Sequence, residues 1–145
     1  MRVRVSTHLP IAAEDACRLA TKPALLSYVL WPWLSMTPTE PLPETIAPGD
    51  EVSARLRFFG VFPGWTHTLR VERLGDREIA SQEHGGLVKT WNHTLTFEPT
   101  AERSCRYTDT VEIRAGLLTP LVALFAALIY RYRQARWRAL ANVLG

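Results

Sequence analysis

A histidine and an aspartate on neighbouring predicted strands are the clearest candidates for chemistry in this sequence. Residues 90–98 and 104–114 alternate between apolar and polar side chains, and a short turn joins them, which predicts an antiparallel hairpin. A turn centred near residue 101 sets His93 opposite Asp109, on the face that also carries the large apolar side chains. Directly opposed residues have Cβ atoms about 5 Å apart, so we expect the imidazole and the carboxylate to meet.

A second such pair is predicted on the preceding strands. A turn near Asp76 aligns Leu69 with Glu83 and places His67 on the same inward face, and the next turn aligns Glu83 with Trp91. The concave face of the sheet should therefore carry two histidines and two acids. Their predicted apolar surroundings are Val52, Ala54, Leu56, Phe58, Leu69, Trp91, Leu95 and Tyr107.

Charged groups on an inward face need an explanation, because an unpaired buried carboxylate is costly or changes its pKa. Four alternatives remain open: a satisfied polar network, contacts to the polar end of a ligand, general acid–base catalysis, and a metal site. In the catalytic alternative His93 is the base, Asp109 orients it, and Tyr107 is a candidate proton donor. No metal-ligand spacing supports the last alternative, so we expect neither a metal nor a cofactor. The predicted ligand-binding residues are His67, Glu83, Trp91, His93, Tyr107, Asp109, Phe58, Phe125 and Ile129.

The elements that must position these residues follow from periodicity and turn residues. The expected order is one strand, two short helices, a proline-rich segment, five strands joined by short turns, and one long helix. The helix should begin at Thr119-Pro120, run to about Val143, and bury a stripe that contains Phe125 and Ile129. Arg136 falls on that stripe, so it either reaches outward or faces an anion such as Glu83, Asp109 or a ligand carboxylate. We expect an α+β fold in which a curved antiparallel sheet of six or seven strands and the helix enclose a cavity. The predicted strands are 2–9, 51–59, 65–74, 78–84, 90–98 and 104–114, with a short one near 33–36, and the short helices are 11–20 and 22–28.

This order, together with the motif Tyr107-Thr-Asp-x-Val-Glu-Ile before a glycine and the long helix, resembles the START/birch-pollen-allergen superfamily (SRPBCC, polyketide cyclase/dehydrase-like). The resemblance covers the whole chain and implies a helix-grip fold. It also implies binding of a lipid, polyketide-like or aromatic molecule under the C-terminal helix, and a minority of such proteins catalyse cyclisation or dehydration. No motif matches a catalytic subgroup, so the resemblance assigns no catalytic residue. Whether the protein is an enzyme is left open.

Composition and charge limit the remaining classes. The chain has 145 residues, of which 47% are hydrophobic and 21% are charged, a composition typical of globular proteins. It is expected to form one domain, residues 1–145. Cys17 and Cys105 match no metal or redox spacing and are expected to be buried thiols in a reducing cytoplasm. The longest apolar run, 117–130, is shorter than the roughly 20 residues that span a bilayer. The arginines are scattered, so we expect no nucleic-acid binding.

A membrane surface is a further candidate partner. The third candidate function is that of a lipid carrier that touches a membrane. The contact would use the aromatic turn Phe58–Trp65, which is either packed or exposed, and the helix residues Arg131, Arg133 and Arg138. The sequence does not fix the ligand, the cavity volume or the oligomeric state.

Overall fold

A seven-stranded antiparallel sheet, two short helices and one long helix make up the computed structural model, which describes residues 1–44 and 46–144. The order along the sheet is β1-β7-β6-β5-β4-β3-β2. The helix-grip architecture predicted from the sequence is confirmed. In chain order the elements are β1 (Arg2–Leu9), α1 (Ala13–Ala20), α2 (Pro23–Leu30), β2 (Leu34–Pro38), β3 (Glu51–Phe58), β4 (Phe62–Leu74), β5 (Glu78–Gly85), β6 (Val88–Ala101), β7 (Ser104–Arg114), a 3-10 turn (Gly116–Leu118) and α3 (Thr119–Leu144).

The strand registers decide which side chains face inward. The predicted pairings of Leu69 with Glu83 and of Glu83 with Trp91 are both present. The predicted β6–β7 register is wrong by two residues. In the structure His93 pairs with Val111, and Asp109 pairs with Leu95. The turn lies later than expected, and an irregularity at Pro99–Ala101 absorbs one residue. A shift of two keeps every side chain on its predicted face, so His93 and Asp109 are diagonal rather than direct neighbours.

The long helix packs on one edge of the sheet rather than on its centre. Its buried face begins at Ala123 and Ala126 and faces β1 and β7, because small side chains allow the helix to approach the strands closely. The remaining buried residues of α3 are Ile129, Tyr130, Arg133, Gln134, Trp137 and Ala141. The buried face is therefore rotated from the predicted stripe of Phe125 and Ile129: Ile129 is buried, whereas Phe125 is exposed at the open side of the fold.

The helix also meets a length and composition criterion for a membrane span. The segment Gly116–Leu144 contains an 18-residue window with a mean hydropathy of 1.2, and 22% of the residues in that window are buried. The sequence-based estimate counted only the apolar run to Tyr130, whereas the helix continues beyond it. Because Gln134 donates hydrogen bonds to Val5 in β1 (2.7 Å) and to Asp109 in β7 (2.9 Å), we interpret α3 as a covering helix with an exposed apolar face.

Candidate ligand cavity

A cavity of about 660 Å³ lies between the inner face of β3–β6 and the helices α2 and α3. It exists because α3 packs on the β1–β7 edge, while the curved remainder of the sheet bends away from the helix. The volume is within the range of pockets that enclose small molecules. Most of the lining is apolar and comes from alternate residues of the strands, such as Val52, Ala54, Leu56 and Phe58 on β3.

One cluster of polar groups on the cavity wall is centred on Glu83. One carboxylate oxygen lies 3.1 Å from His67 Nε2, and the other accepts a hydrogen bond from the Ser81 hydroxyl at 2.8 Å. Trp65 Nε1 donates to His67 Nδ1 at 3.4 Å, which orients the ring. Burial would raise the pKa of Glu83, but the hydrogen bond with His67 and the attraction of His93 outweigh it and lower that pKa. Glu83 is therefore an ionised, partnered carboxylate.

A second cluster, centred on Asp109, lies directly behind the wall. Its Oδ1 accepts a hydrogen bond from the Tyr107 hydroxyl and lies 2.7 Å from His93 Nε2, and its Oδ2 accepts from Gln134 at 2.9 Å. Burial would raise the pKa of Asp109, but the charge of Arg133 and the hydrogen bond with His93 lower it below the ordinary value. Burial raises the pKa of Tyr107, so its hydroxyl remains a neutral donor.

His93 joins the two clusters. Its Nδ1 lies 3.8 Å from Glu83 Oε2, while its Nε2 contacts Asp109. The Tyr130 ring lies beside the imidazole, with 4.9 Å between ring centroids, and Tyr130 accepts a hydrogen bond from Trp91 Nε1 at 2.9 Å. The clusters thus form one buried network that spans the four strands β4–β7 and α3.

The structure places seven of the nine predicted ligand-binding residues on the cavity surface and two behind it. His67, Glu83, Trp91, His93, Phe58, Phe125 and Ile129 line the cavity. Tyr107 and Asp109 do not, because β7 is covered directly by α3; they are 0% and 1% exposed. Neither can touch a bound molecule as the side chains are arranged here. Binding by the other seven stays a prediction.

Sequence reasoning missed Arg133 and Gln134. Both are buried at the polar end of the cavity, which we define as the part next to the Glu83 and Asp109 clusters. Arg133 was expected among the solvated bases of the helix, and Arg136 was expected either to reach outward or to face an anion. Instead Arg133 lines the cavity with its Nη2 3.9 Å from Asp109 Oδ1. Arg136 is half-buried over the Tyr28 ring, 4.3 Å from its centroid, and donates to the Tyr28 carbonyl. The spacing of Ala123, Ala126 and Tyr130 was the signal that could have identified the correct face.

The open side of the cavity carries an exposed apolar rim, which we define as Trp31, Trp33, Phe59, Val61, Phe62, Leu121, Leu124 and Leu128. These side chains are between 44% and 70% exposed. The predicted aromatic turn is divided: Phe58 and Trp65 face the cavity, whereas Phe59 and Phe62 face outward. The Phe59 ring lies 5.3 Å from Trp33 and 6.3 Å from Phe62, so the aromatic part of the rim is continuous.

No arrangement of three or more His, Cys, Asp or Glu side chains suited to a metal ion occurs within residues 1–44 and 46–144. The polar end offers hydrogen-bond donors and carboxylates that are already engaged with one another. Cys17 and Cys105 are buried and free, and burial raises the pKa of each thiol to about 11.

These features are those of a helix-grip fold with a cavity under its C-terminal helix, and a START superfamily protein shares this fold. A START superfamily protein from Mycobacterium smegmatis superposes with a TM-score of 0.75 at 11% identity, over 99% of both chains. A protein from Chromobacterium violaceum superposes with a TM-score of 0.78 at 16% identity, over 97% of this chain and 96% of the other. A protein from Thermus thermophilus does so at 0.72 and 16% identity, over 100% and 99%.

The chain belongs to the family described as Domain of unknown function (DUF8410), whose model matches residues 7–141. A comparison with curated protein sequences finds no match. The structural likenesses are too distant in sequence to transfer more than the fold.

Proposed function

We propose that the protein binds a small or medium-sized hydrophobic molecule in the cavity between the sheet and α3. The observation that carries this proposal is the apolar volume of about 660 Å³, which is large for a chain that could otherwise have closed its core. The START-like fold is consistent with it. Burying apolar surface of the ligand supplies the affinity, and the polar cluster at Glu83 and His93 fixes its orientation.

A neutral fluorescent probe tests the proposal. N-phenylnaphthylamine should show a saturable fluorescence increase with the wild-type protein. Ala54→Trp fills the cavity from β3, since Ala54 lines it, and should weaken probe binding at least about tenfold. Arg55→Trp is the matched control, because it puts the same side chain on the exposed face of the same strand. Equal binding by the wild type and Ala54→Trp would contradict the proposal.

Catalysis by His93 has less support from the geometry. Both ring nitrogens point to carboxylates, and His67 is engaged through both of its nitrogens. Tyr107, the candidate proton donor, is fully buried behind the wall and donates to Asp109. A general base needs a nitrogen within reach of the substrate proton. The cyclase or dehydratase alternative and the cytoplasmic location stay predictions.

Contact with a membrane surface is a second candidate function, and the apolar rim favours it. Phe59 has a φ of 55°, a conformation that is costly for a bulky residue, yet its ring is 53% exposed. The chain between Glu51 and Glu72 contains three arginines and no acid, and the chain after Glu112 contains five arginines and no acid. Of these bases, Arg55 and Arg57 on β3 and Arg131 on α3 are exposed, and they lie on or next to the elements that carry the apolar rim. Exposed bases near apolar side chains are expected for a surface that meets anionic lipid.

Vesicle flotation tests the membrane contact. The protein should float with phosphatidylcholine vesicles that contain phosphatidylserine, and added salt should reduce the bound fraction. Leu121→Asp should reduce it several-fold, because the charge enters the apolar rim. Val143→Asp is the control, since Val143 is an 83% exposed apolar residue near the far end of the same helix. The absence of flotation, or an equal loss in both variants, would remove this function.

A further inference from the structure

Arg133 is a buried cation on the cavity surface with an incomplete set of contacts. The residue is 6% exposed and lies in the lining of the cavity. Its Nε is buried and has no hydrogen-bond partner within residues 1–44 and 46–144. The guanidinium carbon lies 5.6 Å from the centre of the Tyr130 ring, and Asp109 Oδ1, at 3.9 Å from Nη2, is beyond hydrogen-bond distance.

The two carboxylates nearby do not complete these contacts, because other groups already occupy them. Asp109 accepts from Tyr107 and Gln134 and contacts His93, so both of its oxygens are engaged. The Glu83 oxygens are engaged by His67 and Ser81. Arg133 thus receives long-range attraction from the acids without their hydrogen bonds.

A guanidinium has five N–H donors in a planar fork and no acceptor atom. Its unpaired N–H groups can therefore be satisfied only by a hydrogen-bond acceptor. A carboxylate matches the fork with two parallel hydrogen bonds, and such charge-assisted pairs are stronger than neutral ones. Lys22 is the other Lys or Arg in the described cavity lining, and it is exposed. The buried position for an anion is therefore at Arg133.

We infer that the cavity binds an amphiphile that ends in a carboxylate, with the carboxylate held by Arg133 and the apolar portion along the strands β3–β6. This inference rests on the proposed function and adds the chemical class of the ligand. The carboxylate takes the donors of Arg133 that face the cavity, and the network of Asp109 and Glu83 stays as it is.

Displacement of N-phenylnaphthylamine by three matched amphiphiles tests the inference. Dodecanoate, methyl dodecanoate and dodecanol share their chain and differ in the head. Wild-type protein should bind dodecanoate about 10- to 100-fold more tightly than either neutral compound. Arg133→Met should lose this preference and still bind the probe and dodecanol. Arg133→Lys should keep part of it. Arg131→Met, an exposed arginine on the same helix, should behave as the wild type.

The outcomes separate this inference from the proposed function. If the probe binds and the wild type treats the three amphiphiles equally, the carboxylate inference is overturned and the hydrophobic cavity stands. If folded Arg133→Met, checked by circular dichroism, keeps the preference for dodecanoate, Arg133 is not the anchor and the inference is again overturned. If neither the probe nor any amphiphile binds, both proposals are wrong. The wild-type comparison decides even where Arg133→Met does not fold.

Discussion

Replacing Asp109 with alanine should be the most damaging single change at the polar end of the cavity. The Asp109 carboxylate is 1% exposed and accepts hydrogen bonds from Tyr107 and Gln134, while His93 Nε2 lies 2.7 Å away. Each buried group left without a partner costs about 1–3 kcal/mol, so three of them set an upper bound of about 9 kcal/mol. Partial collapse and entry of water reduce this cost, and removing one member of a buried ionic network costs about 3–5 kcal/mol.

We therefore expect Asp109→Ala to lower the free energy of unfolding by about 3–5 kcal/mol, measured by urea denaturation with far-ultraviolet circular dichroism. Glu102→Ala, in the exposed β6–β7 turn, is the control and should change it by less than about 0.5 kcal/mol. A loss below about 1 kcal/mol for Asp109→Ala would refute the view that this network holds β7, β6 and α3 together.

The same network sets the dependence of stability on pH. The pKa of Asp109 and the pKa of Glu83 are lowered in the folded protein. Each carboxylate therefore stabilises the folded state at pH values above the ordinary carboxyl pKa of about 4. This contribution is lost as the pH falls through the lower folded pKa. Urea midpoints measured from about pH 7 down to about pH 3 should therefore decline, and Asp109→Asn should make the decline shallower. An identical acid-side slope in wild type and variant would contradict this.

Three further predictions concern other parts of the site. Gly86→Ala should destabilise the protein and disturb the cavity, since a Cβ at this left-handed position would lie 2.4 Å from the Trp65 ring; wild-type stability and probe binding would contradict this. Tyr130→Phe should cost about 1–2 kcal/mol in urea unfolding, because Trp91 Nε1 loses its acceptor, and an unchanged midpoint would show that another group replaces it. The thiols of Cys17 and Cys105, with pKa values near 11, should react with an alkylating reagent only after unfolding, so rapid labelling of the native protein would count against their burial.

The sequence was sufficient for the sheet because its strands alternate clearly and its turns are short. Alternation fixed the inward faces, and the pairing of Glu83 with Trp91 followed from turn position alone. The β6–β7 register could not be counted correctly, since an irregularity near Pro99 leaves no distinctive pattern in the sequence. His93 and Asp109 still meet, because a shift by two residues preserves the face and the diagonal distance suits an imidazole.

The helix was harder to orient for a physical reason. Size and hydrophobicity favoured the stripe of Phe125 and Ile129, but a helix that packs closely on strands buries small residues such as Ala123 and Ala126. Rotating the helix accordingly turns Arg133 toward the cavity and Arg136 toward Tyr28. Periodicity does not distinguish a charged residue on the buried face of a helix from one on its solvated face. The burial of Arg133 therefore became evident only from the structure.

The five isoleucines of the chain allow a direct test of ligand binding in the cavity. Ile46, Ile79 and Ile129 line the cavity, whereas Ile11 and Ile113 are buried elsewhere in the core. With isotope-labelled isoleucine methyl groups, titration with N-phenylnaphthylamine should shift the three cavity methyl resonances and produce contacts between them and the aromatic probe. The other two resonances should stay in place. Shifts confined to Ile11 and Ile113, or no shift at a saturating probe concentration, would contradict the proposal that this cavity is the binding site.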